Sequence, residues 1–568
     1  MKWISSAAIL MLVVVPAFGT EVGSEVVSGQ LDPAAHAHAM HELNSTLLTL
    51  EAPDREALVA PLPVEEQTRL EKAPKDQGRL LVGSNIALGL KVNSASEGGF
   101  GQVLRRAEGD VWSAAVRSPG AIAVRLHLGD LDLPKGAELY AYNASGQAFG
   151  PYTGRGPLGD GSQWTHTLLG DEIRLQLHLP PRARGNAASA GASFTVKEIA
   201  HLGPNFFLAQ TPEASAFCGF NQACTTNAAC ESIPSAIQPA ADATAHLLFA
   251  VGSSSFICSG GLLNDTDTST QVPLLLTANH CFSSGSSANS LEAYFQYTTP
   301  CGGACFNPYS ASLPRTVGST ILSTSSSSDY TLVELAQQPP AGSVLLGWTA
   351  TAVANSAGTN LFRISHPGGA PQAYSEHSVN TTAGTCGSWP RGPWIYSDDT
   401  LGATEGGSSG SVVLNSSGQV VGQLSGACGL SPETSCDGDD RTVDGALAAY
   451  YSSVEPFLDP GSGGPSGSCP AGYTEFNGTI SAGNPDQVTN IFRDSGNFNG
   501  LLICSGADLD LYLDRMRSNG SYRSTVASST SSGCNEVINY TNNRLRYYRW
   551  RVSAYSGSAS FTLCVNKP

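Results

Sequence analysis

The first 217 residues of this 568-residue chain contain no cysteine, while 14 lie beyond them. The absence excludes a disulfide framework for that stretch. The remainder divides evenly, ten from Cys218 to Cys436 and four from Cys469 to Cys564, as expected of two units that each close their own bridges in an oxidising compartment. Basic residues are also scarce, and 30 Lys and Arg against 47 Asp and Glu give a formal net charge of −17. Nucleic acid is therefore not an expected partner, because phosphate binding needs clustered cations. Long apolar runs are missing too. Ile4 to Val15 is too short to span a bilayer, and between Met1-Lys2-Trp3 and Ala17-Phe18-Gly19 it reads as a signal peptide cleaved after Gly19. The mature protein is expected to be secreted and extracellular, with no membrane association. Metal-ligand spacings are lacking as well. Cys301-Gly302-Gly303-Ala304-Cys305 has no second cysteine or histidine pair to complete a zinc site, and His36, His38 and His41 lie in a leader stretch too flexible to hold an ion. No metal and no cofactor are expected.

Three short stretches carry chemistry: Thr277-Ala278-Asn279-His280-Cys281, Ser328-Asp329-Tyr330-Thr331-Leu332 and Gly407-Ser408-Ser409-Gly410-Ser411. They supply, in chain order, a base, an orienting acid and a nucleophile. A serine hydroxyl is a weak nucleophile until an imidazole removes its proton, so His280 would take the proton of Ser409 and return it to a leaving amine. Asp329 would hold the ring in the tautomer that accepts from serine and stabilise the imidazolium that forms. The glycine turn would let the backbone N–H groups of Gly407 and Ser409 face one point, an oxyanion hole. Gly-Ser-Ser-Gly-Ser could be a linker, but its flanks argue otherwise. Trp394-Ile395-Tyr396 lies upstream, and Val412-Val413-Leu414 and Gln419 to Leu424 read as strands joined at Asn415 to Gly418. The alternation in Tyr330 to Leu335 places Asp329 at a strand start.

These residues resemble the chymotrypsin-like serine peptidases, and within them most closely the bacterial lysyl endopeptidases. Leu276-Thr277-Ala278-Asn279-His280-Cys281 is similar to the family's Leu-Thr-Ala-x-His-Cys, and Thr404 to Ser411 is similar to its Thr-Glu-x-Gly-Ser-Ser-Gly-Ser. The resemblance covers roughly residues 218 to 458. It implies a double β-barrel with Ser409, rather than Ser408 or Ser411, as nucleophile. It also implies that Cys258, in Cys258-Ser259-Gly260-Gly261, pairs with Cys281, and that Cys218 bridges to Cys428 or Cys436.

A chain of this length implies three folded units after the signal at 1–19. Residues 20–211 open with a helix-prone charged stretch and then alternate apolar and polar residues, as in Ala121 to Leu128 and Glu172 to Leu179, so each strand should bury one face. This is a β-sandwich candidate that resembles a propeptide, with the cut expected between Pro204 and Cys218. Residues 212–459 hold the peptidase unit, and 460–468 form a Gly/Ser linker. Residues 469–568 resemble the bacterial prepeptidase C-terminal domain, another small β-sandwich, in which Arg544, Arg546 and Tyr547 to Arg551 should alternate faces as edge and core residues. The fold class expected is all-β throughout.

In trypsin-like enzymes a carboxylate six residues before the nucleophile attracts basic side chains, and here that position is Ala403. Lysyl endopeptidases place the acid after the nucleophile, in Asp-Arg-Ser-Asp followed by Tyr-Tyr-Gly, where this chain has Asp440-Arg441-Thr442-Val443-Asp444-Gly445. The acid's position falls on Val443 or Thr442, with Asp444 one or two residues away. With Asp444 in the pocket, Lys or Arg is preferred at P1, because a substrate cation relieves a buried unpaired carboxylate. Without it the pocket is neutral. His366, before Pro367-Gly368-Gly369, is the nearest candidate for a glutamyl-preferring pocket, although its setting reads as a turn. Gly426, ending a strand edge after Ser425, would line the pocket while the substrate adds as a strand. The expected protein is a monomeric secreted serine endopeptidase, made as a zymogen, with its own propeptide and protein or peptide substrates as partners. The alternatives are a glutamyl or neutral-preference peptidase, or a non-catalytic binding protein on the same barrel.

Overall fold

The computed structural model describes residues 22–28, 33–50, 56–72, 79–94, 100–106, 109–180, 192–203, 218, 221–267, 270–310, 313–387, 389–429, 436, 441–460, 469, 473–504, 508–530 and 536–567. Residues 1–19, 204–217 and 461–468, on which the expected signal peptide, cleavage segment and linker fall, lie outside them.

Apolar alternation in the middle of the chain builds two closed barrels. In the first, Tyr330–Leu335 pairs with Leu274–Ala278, and the ladder continues through Ser254–Leu263 and Thr244–Val251 to Glu292–Phe295. Gly318, at φ 86°, makes the bend that closes it. Arg315–Val317 before the bend pairs with Glu292–Phe295, and Ser319–Ser325 after it pairs with Tyr330–Leu335. In the second barrel, Ala373–Val379 and Asn360–Ser365 pair, and the ladder runs through Val412–Leu414, Val420–Cys428, Arg441–Ala446 and Trp394–Leu401. The last strand returns to Ala373–Val379, so no long edge is left open. The helix Leu447–Leu458 then crosses back and buries Leu447, Tyr450, Val454 and Leu458 in the core of the first barrel.

Upstream, a sheet containing Val111–Arg117, Glu172–His178 and Glu138–Tyr142 faces a second layer made of Ala123–Asp132, Ser193–Leu202 and Leu80–Asn93. Val116, Leu139 and Leu175 meet Leu126, Val196 and Ile199 between them. The second layer does not stop there. Leu80–Asn93 pairs with Ser254–Leu263, so a single 12-stranded sheet runs from the N-terminal sandwich into the first barrel. This is where simple alternation misleads: the strand Ala123–Asp132 buries both faces, with Arg125 0% exposed, because its second face meets the barrel. Leu80, Trp164 and Leu202 share one cluster with Leu248, Ile257, Tyr294 and Tyr309 across that junction.

The C-terminal region is a seven-stranded sheet whose long strand Glu536–Ser556 pairs with Phe492–Cys504 along one half and Asp508–Met516 along the other. Tyr548, Trp550 and Val552 alternate into its core, while Arg549 and Arg551 lie on the opposite face and ion-pair with the buried Asp514. This region docks on the first barrel, where Asn539 Nδ2 donates to Ile321 O at 2.9 Å and Leu501 joins the barrel core.

Cys258 bridges to Cys281, and Cys469 to Cys564. The expected link from Cys218 to Cys428 or Cys436 is corrected. Cys218 pairs with Cys305 and Cys230 with Cys301, so both bridges go to the Cys301–Cys305 loop, and it is Cys224 that reaches Cys436. Cys428 is taken by Cys386.

Candidate active site

Ala278 and Tyr330 are opposite each other at the ends of paired strands, so the residues just beyond them, His280 and Asp329, become neighbours. Asp329 Oδ2 accepts from His280 Nδ1 at 2.6 Å, and Oδ1 accepts the His280 backbone N–H at 2.7 Å. The carboxylate thus fixes the proton on Nδ1 and leaves Nε2 to accept. Nε2 is buried with no hydrogen-bond partner, so none joins it to Ser409; such bonds often close only in the substrate complex.

Asp329 sits at φ 51°, a left-handed conformation unusual for a residue with a side chain. Its backbone is held there from the other barrel. Gln423 Nε2 donates to Ser328 O and Asp329 O, both at 3.0 Å, and Asn279 N–H adds a third bond to Asp329 O. Gln423 is fixed in turn by the Tyr450 hydroxyl, and the Tyr450 ring stacks on Tyr330 with centroids 4.0 Å apart. Neither Gln423 nor Tyr450 belongs to a recognisable motif. Only the fold brings them to the acid.

Ser409 lies against the same strands. Ser259 N–H donates to Ser409 O at 2.8 Å, and Cys281 Sγ lies 3.7 Å from that oxygen, so the Cys258–Cys281 bridge ties the histidine segment to the serine turn. The turn needs glycine twice. Gly407 has φ 95°, and a Cβ there would come 2.9 Å from His366 O; Gly410 has φ 81°, and a Cβ would come 2.1 Å from Thr277 Oγ1. The N–H groups of Ser408, Gly410 and Ser411 donate to Glu405 O, Leu424 O and Ser408 O, whereas those of Gly407 and Ser409 have no acceptor among the described residues. His280, Cys258 and Cys281 also bring ligand-type atoms within 4.8 Å of one another, but both sulfurs belong to one disulfide and offer no thiolate.

Residues 218–441 match the family described as lysyl endopeptidase, C-terminal domain. Over these residues the chain is similar to the C-terminal domain of lysyl endopeptidases. A lysyl endopeptidase of Pseudomonas aeruginosa is 29% identical over 328 residues, covering 55% of this chain and 66% of that protein, just under two thirds of its length. Among solved structures, the HtrA-type protease AlgW with tripeptide is 16% identical at a TM-score of 0.27, covering 39% of this chain and 62% of its own. The MamO protease domain from Magnetospirillum magneticum is 13% identical at a TM-score of 0.26, covering 38% of this chain and 96% of its own.

The specificity residues of this lysyl endopeptidase-like domain fall differently from expectation. Ala403 is buried just after Gly402 and contributes no charge. Gly426 pairs with Val443 and is open on one side toward Trp389, which a Cβ would meet at 3.4 Å. Asp444 is corrected as a free pocket acid: it is 0% exposed, and its Oδ1 accepts from Arg363 Nη2 at 2.6 Å. The protein has already supplied its cation, from a strand 81 residues away.

His366 is enclosed between the barrels, its ring stacked on Tyr297 at 5.5 Å and its Nδ1–H donating to Ala370 O at 2.9 Å. Burial pushes its pKa down to about 4, against the raising effect of the Ala370 bond. The unfolded chain therefore takes up a proton near 6.5 that the folded protein refuses until about 4, so this residue's contribution to stability is full above pH 6.5 and is lost as pH falls to about 4. The change is about 3 kcal/mol. In urea unfolding, the stability gap between wild type and His366→Gln should shrink by that order from pH 7 to 4.

Proposed function

We propose that the protein is a serine endopeptidase that hydrolyses peptide bonds through an acyl-enzyme. Ser409 Oγ attacks the scissile carbonyl while His280 Nε2 takes its proton, and the imidazolium then protonates the leaving amine. Asp329 orients the ring through Nδ1. The unpaired N–H groups of Gly407 and Ser409 receive the oxyanion. The observation that carries this reading is the two-point grip of Asp329 on His280 beside a serine turn whose two free amides flank the nucleophile.

Residues 20–211 act in this reading as a propeptide and 212–459 as the peptidase. Supporting it, Arg79 Nη1 donates to His280 O and Cys281 O, both at 3.0 Å, so the N-terminal region grips the backbone beside the catalytic base. Six bridged cysteine pairs suit an exported enzyme. The name of the Pseudomonas relative points to basic P1 residues. A serine-directed phosphonate tests the chemistry: trimmed wild type should be labelled stoichiometrically in a burst and Ser409→Ala not at all. A folded, trimmed, unlabelled wild type would leave a binding protein as the better description.

A further inference from the structure

Around the proposed pocket, the described carboxylates are nearly all committed. Asp444 is fully buried, with Oδ1 paired to Arg363 and Oδ2 enclosed without a hydrogen-bond partner. Asp398 receives Asn380 Nδ2 on both oxygens and Arg441 Nε on one. Glu405 receives Gln222 N–H and the Thr225 hydroxyl.

Asp399 differs from these. Its Oδ1 accepts from His377 Nδ1 at 2.7 Å and from Thr442 Oγ1 at 2.8 Å, while Oδ2 receives no hydrogen bond among the described residues and 27% of the side chain is exposed. His377 Nε2 lies 2.8 Å from Ser375 Oγ, so both ring nitrogens are partnered. Burial pushes the Asp399 pKa up, but the His377 bond and charge, Thr442 and Arg363 together leave it below the usual value, so the carboxylate is ionised.

Strand alternation places this group on the inner face of the second barrel. Ser397 lies opposite Thr442 in the ladder, and Asp399 follows two residues later on the same face, which is the inside of the second barrel. That interior is apolar at Ile395 and Ala446 and turns polar toward Asp399. Ser397 Oγ is buried there without a partner. The chain then bends through Gly402, φ 66°, to Ala403, six residues before Ser409. Arg363 is in contact with Asp444 and acts on Asp399 only through its charge.

We infer that Asp399 is the specificity-determining carboxylate, held by His377 and Thr442, and that it receives the ammonium or guanidinium of a P1 Lys or Arg. This rests on the peptidase reading and locates its charge selectivity on the strand before the nucleophile, outside the Asp440–Gly445 motif.

The test measures kcat/KM for peptide substrates differing only in P1 Lys, Arg, Leu or Glu, with active sites titrated by the phosphonate. Wild type should favour Lys and Arg. Asp399→Asn should lower the Lys-to-Leu ratio about 100-fold, the size expected when one partner of a desolvated charge pair is removed. Thr442→Val, which removes one donor from Oδ1, should lower it about 10-fold through KM rather than kcat. An unchanged ratio in Asp399→Asn, or a labelled wild type that favours Leu or Glu, overturns the assignment while leaving the peptidase reading intact. A wild type that takes no phosphonate overturns both.

Discussion

Asp329→Asn is expected to lower kcat by about 10,000-fold while leaving KM and the fold nearly unchanged. Both oxygens of Asp329 accept protons from His280, one from the backbone N–H and one from Nδ1. An asparagine of the same shape can satisfy the backbone N–H only by turning its carbonyl there, which presents its NH2 group to Nδ1. The ring must then accept at Nδ1 and carry its proton on Nε2. That tautomer cannot take a proton from Ser409. The side chain's other supports are backbone bonds from Gln423 and Asn279, which the substitution leaves in place, so circular dichroism and urea midpoints should match wild type. A variant retaining more than about one tenth of wild-type kcat would show that the ring tautomer is set by something other than Asp329. The contrast with Ser409→Ala is informative, because Asp329→Asn should still be labelled by the phosphonate, only slowly.

The pairing of His280 with Asp329 was legible in the chain because it is set by short local patterns. Thr277 to Cys281 and Thr404 to Ser411 each set a strand end, a turn and a reactive side chain within a few residues, and strand pairing then brings His280 to Asp329. What was not legible depends on partners far away in sequence. Asp444 looked like a specificity acid until Arg363, on another strand of the same barrel, took its charge. Asp399 gave no signal, since its value lies in a spare oxygen that only the placement of His377 and Thr442 reveals. The disulfides of Cys218 and Cys224 join them to Cys305 and Cys436, 87 and 212 residues away, which spacing does not encode. Alternation located the strand Ala123–Asp132 correctly, but not that Arg125 would be buried on its supposedly wet face.

That buried face is the source of the largest expected stability effect. Glu292→Ala should destabilise the full chain by about 3 to 5 kcal/mol, the loss expected when one member of a buried ionic group is removed and its partners are left behind. Glu292 is 0% exposed on the first barrel, 3.7 Å from Arg125 of the N-terminal region and 3.6 Å from Arg315 of its own barrel. Thr167, also from the N-terminal region, donates to it through its N–H and its hydroxyl, the latter at 2.6 Å. Burial pushes the Arg125 pKa down, and Glu292 is the strongest influence opposing it. Without the carboxylate, two guanidiniums remain in a dry junction, one over the Trp164 ring at 4.4 Å and the other over the Tyr294 ring at 4.6 Å. Removing both charges of the cross-region pair, in Arg125→Met with Glu292→Leu, should recover part of the loss, because apolar side chains of similar volume can fill such a site at little cost. Urea unfolding of the three proteins checks this, and a loss below about 1 kcal/mol in Glu292→Ala would mean that water reaches the cluster. If residues 20–211 are a propeptide, cutting the chain at 204–217 does not by itself break this group. Arg125 and Thr167 leave Glu292 only when the whole N-terminal region departs, taking with it one cation and both threonine bonds, so the junction opposes release after the backbone has been cleaved.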